Sequence, residues 1–193
     1  MTFRAALLIP LAAATAACGV NSVPTAEEEA KGRWADVQAA YQRRADLIPN
    51  LVATAKGAAR FEQNTLEGIT QARARAQSVQ LSGDDLADAN KVQQFAAAQA
   101  ALTVAYRPLQ EAYPTLQSQG NFKTLMDQLE GTENRVNIAV KDYNAAVQTY
   151  NTRIRTFPDA IGAKIFYGAK PKVPFEASAG SQAAPKVDFG SPS

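Results

Sequence analysis

The sequence predicts an all-α protein, an antiparallel up-and-down four-helix bundle of long helices. Three observations predict it. Apolar residues recur every three or four positions over long stretches, and no segment alternates with the period of two that a strand needs. The last long stretch also carries a heptad repeat, which implies coiled-coil packing against neighbouring helices.

The chain opens with Arg4, an apolar run from Ala5 to Ala14, and the small residues Thr15, Ala16 and Ala17 before Cys18. A charged start, a short apolar core and a small-residue cleavage site are the parts of a secretory signal, here residues 1–17. The run is shorter than the roughly 20 apolar residues of a membrane span, and Pro10 interrupts it. Cys18 is the only cysteine, so no disulfide forms within the chain. A cysteine directly after small residues resembles the lipobox of bacterial lipoproteins, whose thiol is acylated (palmitate or a similar chain) and becomes the mature N-terminus. Thr15 departs from the Leu usual in such boxes. Secretion with a free thiol and an uncleaved anchor are the competing readings.

Residues 18–25 read as a tether. Thr25, with Glu27–Glu29 after it, reads as a capping box, so the helical domain is placed at 26–168. Trp34, Val37, Tyr41, Ile48, Leu51, Ala55 and Ala58 then follow helical steps. Pro49 removes one helical bond and predicts a kink near Asp46–Ile48. A bend or corner is expected near Gly57, because a single helix beyond it would outrun its partners.

A second stretch, 62–79, aligns Leu66, Ile69, Ala72 and Ala76, and Asp84 is read as the cap that follows it. The third, 85–112, carries Leu86, Val92, Phe95, Leu102, Tyr106 and Leu109. The fourth starts after Asn121 and runs to Phe157-Pro158. Its seam rows are Val136, Tyr143, Tyr150, Phe157 and Val140, Val147, Ile154. Residues 169–193, rich in Pro, Ala, Ser and Gly, read as a disordered tail that the fold can lose.

Composition narrows the chemistry. With 20 Lys+Arg against 18 Asp+Glu and no basic block, nothing points to nucleic acid. Histidine is absent, which removes the commonest general base and metal ligand. The acids at 27–29 and at Asp84, Asp85 and Asp88 sit at helix starts, where the helix dipole explains them. No metal, cofactor or catalytic constellation is expected, and the protein is read as a non-enzyme.

Three blocks carry a family resemblance. Tyr41-Gln-Arg-Arg-Ala-Asp-Leu-Ile-Pro-Asn-Leu-Val through Gly57, then Phe61-Glu-Gln-Asn-Thr-Leu through Arg73, stand in the N-terminal half. Tyr113-Pro-Thr-Leu, Thr132-Glu-Asn-Arg135, Tyr143-Asn144, Tyr150-Asn151 and Phe157-Pro158 stand in the C-terminal half. In order and separation they resemble the LemA family over roughly residues 30–176. The resemblance implies long helices on a membrane-anchored protein and no established enzymatic activity. Many members carry an N-terminal transmembrane helix, which a lipidated Cys18 replaces here.

Two charges interrupt the apolar seams. Arg44 falls between Tyr41 and Ile48, and Glu133 between Leu129 and Val136. A seam charge is costly unless paired. Each side chain either snorkels outward, or the two form an ion pair between antiparallel helices. Such a pair would fix helix register or floor a cleft with Arg43, Asp46 and Asn134 at its mouth.

The functional expectation is a lipid-anchored, non-catalytic scaffold or adaptor of the bacterial envelope, with another envelope protein as partner. Its place is the periplasmic or outer face, and the outer membrane where there are two, since Gly19 rather than Asp follows Cys18. The alternative is a binding protein for a small polar or peptide ligand at the Arg44/Glu133 cleft.

Overall fold

The computed structural model describes residues 21–57, 62–111 and 121–176. Among these it is all-helical, with five α-helices and no strand. They are α1 (Ser22–Gly57), α2 (Gln63–Ser78), α3 (Ala89–Glu111), α4 (Phe122–Arg153) and α5 (Asp159–Ile165), with a 3-10 turn at Asp85–Ala87. The signal, Cys18, the 58–61 link, the Tyr113 block and residues 177–193 lie outside the described residues.

Neighbouring helices run antiparallel. The start of α1 packs on the end of α4, where Val23 and Ala26 meet Tyr150. Trp34 meets Tyr143 at mid-length, and Ile48 and Leu51 share a cluster with Leu125 and Leu129. α2 returns along α1, since Arg73 reaches the Ala45 carbonyl while Leu66 packs near Ala55. α3 runs against α2 in turn, with Gln99 bonded to the Ala76 carbonyl. α1 and α2 thus run in opposite directions, and the bend or corner expected near Gly57 falls at residues 58–61, outside the described residues.

Pro49 sits inside α1 and leaves the Ala45 carbonyl without its usual helical donor. The Arg73 Nε supplies the missing bond at 2.8 Å. A buried carbonyl deprived of a partner costs about 1–3 kcal/mol, so the proline and the arginine act as one unit.

Several local expectations need correction. α1 begins at Ser22, and the Thr25 hydroxyl donates back to the Asn21 carbonyl instead of capping. Asp88, not Asp84, caps α3, accepting from the amides of Asn90 and Lys91. α4 ends at Arg153, four residues before Phe157, which is 82% exposed instead of seated in the seam. Pro158 pushes Phe157, the residue before it, out of helical geometry, so the seam cannot run through that position.

The largest correction concerns the tail. Residues 170–175 form an extended strap along α4, and Phe175 is buried among Trp34, Tyr41 and Phe95 at centroid distances of 6.0–6.1 Å. Gly168, at φ +54, turns the chain from α5 into the strap. Asn144 grips Phe175 through both backbone groups, with bonds of 2.7 and 2.9 Å. Asn151 does the same to Lys172, at 2.9 and 2.8 Å. The hydroxyls of Tyr143 and Tyr150 donate to the carbonyls of Val173 and Lys170. The spacing explains the match: seven residues of helix rise about 10.5 Å, and three residues of extended chain span about 10 Å.

The prolines fit the same scheme. The amides of Lys172, Val173 and Phe175 all donate, whereas Pro171 and Pro174 have no amide to leave unpaired. Lys172, itself buried, closes the strap against α1 through Glu27 at 3.1 Å and the Gly83 carbonyl at 3.2 Å.

Candidate functional site

The core is divided. One apolar cluster holds Trp34, Val37, Tyr41, Phe95, Val136 and Tyr143. Another holds Ala45, Ile48, Leu102, Tyr106, Leu125 and Leu129. Between them lies a polar layer from three helices: Arg44 of α1, Gln99 and Thr103 of α3, and Glu133 of α4. Arg44, Gln99 and Glu133 each fall where the apolar rhythm of their helix calls for an inward side chain.

Arg44 is 5% exposed, so it does not snorkel. Its guanidinium donates to the Thr103 hydroxyl (3.0 Å), the Gln99 carbonyl (3.1 Å) and the Gln99 side-chain oxygen (3.2 Å). It also stacks over the Tyr41 ring, 4.8 Å from the centroid. Its Nε is buried without a hydrogen-bond partner. All three acceptors are neutral, and among the described residues no carboxylate makes a direct ion pair with it. Buried charges are normally paired.

The alternative reading, an Arg44–Glu133 ion pair, is not formed either. Glu133 accepts instead from the Tyr106 hydroxyl at 2.6 Å. Burial pushes the Tyr106 phenol well above its ordinary range, helped by Glu133 and opposed by the charge of Arg44. It therefore remains a proton donor to the carboxylate. Burial likewise raises Tyr41, against the opposing charge of Arg44.

What Arg44 and Glu133 do share is a cavity of about 270 Å³, lined also by Gln99, Thr103, Arg107, Asn137 and Phe175. The strap thus contributes one wall through Phe175. Arg43, Asp46 and Asn134 are exposed and do not line this cavity. Asp46 accepts from Gln42 at 2.8 Å and lies 3.8 Å from Arg73. The cleft therefore has the expected pair on its walls and a different set around them.

Gln99 was legible by the logic that singled out Arg44, as a polar residue in the row Val92, Phe95, Leu102, Tyr106. Thr103, Arg107 and Asn137 carry no such signal. They are ordinary polar residues until three helices converge. Among the described residues no group of three or more His, Cys, Asp or Glu could hold a metal ion. No helix among them is long and apolar enough to cross a membrane.

A model of the LemA family matches residues 33–189, which covers most of the chain and includes the polar layer and the strap. No curated protein matches it. The extent of the match, together with the three blocks in their order, means that this chain belongs to the LemA family.

Proposed function

We propose that this chain is a lipid-anchored, non-catalytic helical module of the bacterial envelope whose working site is the Arg44 cavity. The four long helices are read as one antiparallel bundle, because each neighbour in the order α4, α1, α2, α3 runs opposite to the next. Cys18 is read as the acylated residue, placing the bundle on the periplasmic or outer face, at the outer membrane where two membranes exist.

One observation carries the binding role: a buried guanidinium with only neutral partners and a free Nε stands beside a cavity. The guanidinium keeps a donor that no protein group uses and makes no direct ion pair with Glu133, so an anion would find an unengaged cation here. Arg44 and Arg107 would receive a carboxylate, and Glu133, across the same cavity, would receive an ammonium. The class that fits is a free amino acid or a peptide terminus. A scaffold role built on the Tyr/Asn stripe of α4 is less favoured, since the chain's own residues 170–175 occupy that stripe.

A thermal-shift screen of the full chain against free amino acids and dipeptides tests this. A ligand at about 100 times its Kd stabilises by about 2.7 kcal/mol. That raises Tm by several degrees in the wild type and not in Arg44→Met. No shift with any probe, alongside co-purification of one envelope protein with wild type and Arg44→Met alike, would favour the scaffold. Replacing Cys18 with Ser should abolish fatty-acid labelling and membrane retention, and unchanged retention overturns the anchor.

A further inference from the structure

Of the seven large apolar side chains exposed among the described residues, five fall in one short segment: Phe157, Ile161, Ile165, Phe166 and Tyr167. Within α5, Gly162 and Ala163 are buried, while Ile161 and Ile165, one turn apart, form an outward stripe. Exposed Arg155 and Lys164 line one shallow hollow beside α5, whereas Lys170 lies with Tyr167 in a second hollow that also holds Asp84, Asp85 and Asp88. From 153 to 172 the chain carries five basic residues against Asp159 alone, and among the described residues only Lys172 of the five is paired with a carboxylate.

The same end of the molecule carries the start of α1. Val23 and Ala26 pack with Tyr150 and Ala163, and Arg153 donates to the Ser22 carbonyl at 3.3 Å. Cys18 precedes Ser22 by four residues, a reach of at most about 14 Å. A bilayer holding Cys18 is therefore within reach of this patch. Lysine is depleted at protein–protein interfaces, whereas apolar side chains ringed by Lys and Arg suit an anionic membrane surface.

We propose that this end, Phe157 to Tyr167, docks on the surface of an anionic bilayer. Its apolar side chains enter the acyl boundary, and Arg155 and Lys164 meet the lipid phosphates. The anchor and the patch then hold the bundle by two points, which sets its orientation and not merely its attachment. This inference rests on the proposed Cys18 anchor for delivery to the membrane, and its test is made independent of it.

The lone thiol of Cys18 allows the reduced full chain to be coupled to vesicles of phosphatidylethanolamine and phosphatidylglycerol carrying a maleimide lipid. Phe166→Trp reports on the patch and Lys56→Trp on the far end of α1, over the constant signal of buried Trp34. Acyl-brominated lipid should quench the first and not the second, and Ile161→Ser with Ile165→Ser should remove most of that quenching. Three results overturn the proposal. The Phe166→Trp signal could stay open to aqueous acrylamide on vesicles, be shielded before vesicles are added, or be quenched undiminished in the double-serine variant. Mass spectrometry of Cys18 from cells tests acylation separately, so the anchor can fail while the docking stands.

Discussion

Truncating Phe175 to alanine tests the strap directly. The ring is buried against Trp34, Tyr41 and Phe95, so its loss removes a core aromatic and opens a void between α1, α3 and α4. Such substitutions cost about 3–5 kcal/mol. For a domain of this size that corresponds to roughly 6–20 °C in Tm. The strap lies near the described C-terminal end, however, and can peel away as a unit. The loss from Phe175→Ala is therefore bounded by the strap's own docking free energy. Asn144→Ala removes two bonds to the same residue, about 1–3 kcal/mol. If the strap is cooperative, combining the two adds less than the sum of the singles. Denaturant unfolding followed by circular dichroism measures the losses, and hydrogen exchange locates them at the amides of Lys172, Val173 and Phe175. Free-peptide exchange at those three amides in the wild type, with a Phe175→Ala loss under about 0.5 kcal/mol, would refute the reasoning.

The polar layer, the proline unit and the strap's ion pair yield the other tests. Tyr106→Phe and Glu133→Gln should couple by about 1 kcal/mol or more in a double-mutant cycle because they share a direct bond. Arg44→Met and Glu133→Gln should couple more weakly, and a larger coupling there would restore the ion pair. Arg73→Ala should cost about 1–3 kcal/mol, and Pro49→Ala in that background should recover part of it by restoring the helical donor; no recovery would dissociate the two residues. Burial raises the carboxyl of Glu27, but the hydrogen bond and charge of Lys172, with Lys31, outweigh it and hold Glu27 below the usual carboxylate range. Its contribution is complete above the ordinary carboxylate pKa and is lost as pH falls through the lowered value. Strap-amide protection should weaken over that window in the wild type and not in Glu27→Gln, and equal pH dependence in both would reject the assignment.

The sequence by itself determined the helical class, the inward faces and the positions where charge breaks them. Trp34, Tyr41, Ile48, Leu66, Ile69, Phe95, Leu102, Tyr106 and Tyr143 are all buried as their spacing requires. Burial periodicity is a local property, since a helix displays one face every 3.6 residues whatever it packs against. Partner choice is not local. Arg44 and Glu133 were legible as buried-charge candidates, but only the tertiary structure decided that Arg44 turns to Gln99 and Thr103 while Glu133 turns to Tyr106. The strap was hidden for a related reason. Its attachment runs through backbone groups held by Asn144 and Asn151, so residues 170–175 need no apolar period of their own. A proline-rich composition without an apolar period reads as unable to order itself. The order comes from a helix whose seven-residue rise equals three residues of extended chain, a match that exists only once the two are side by side.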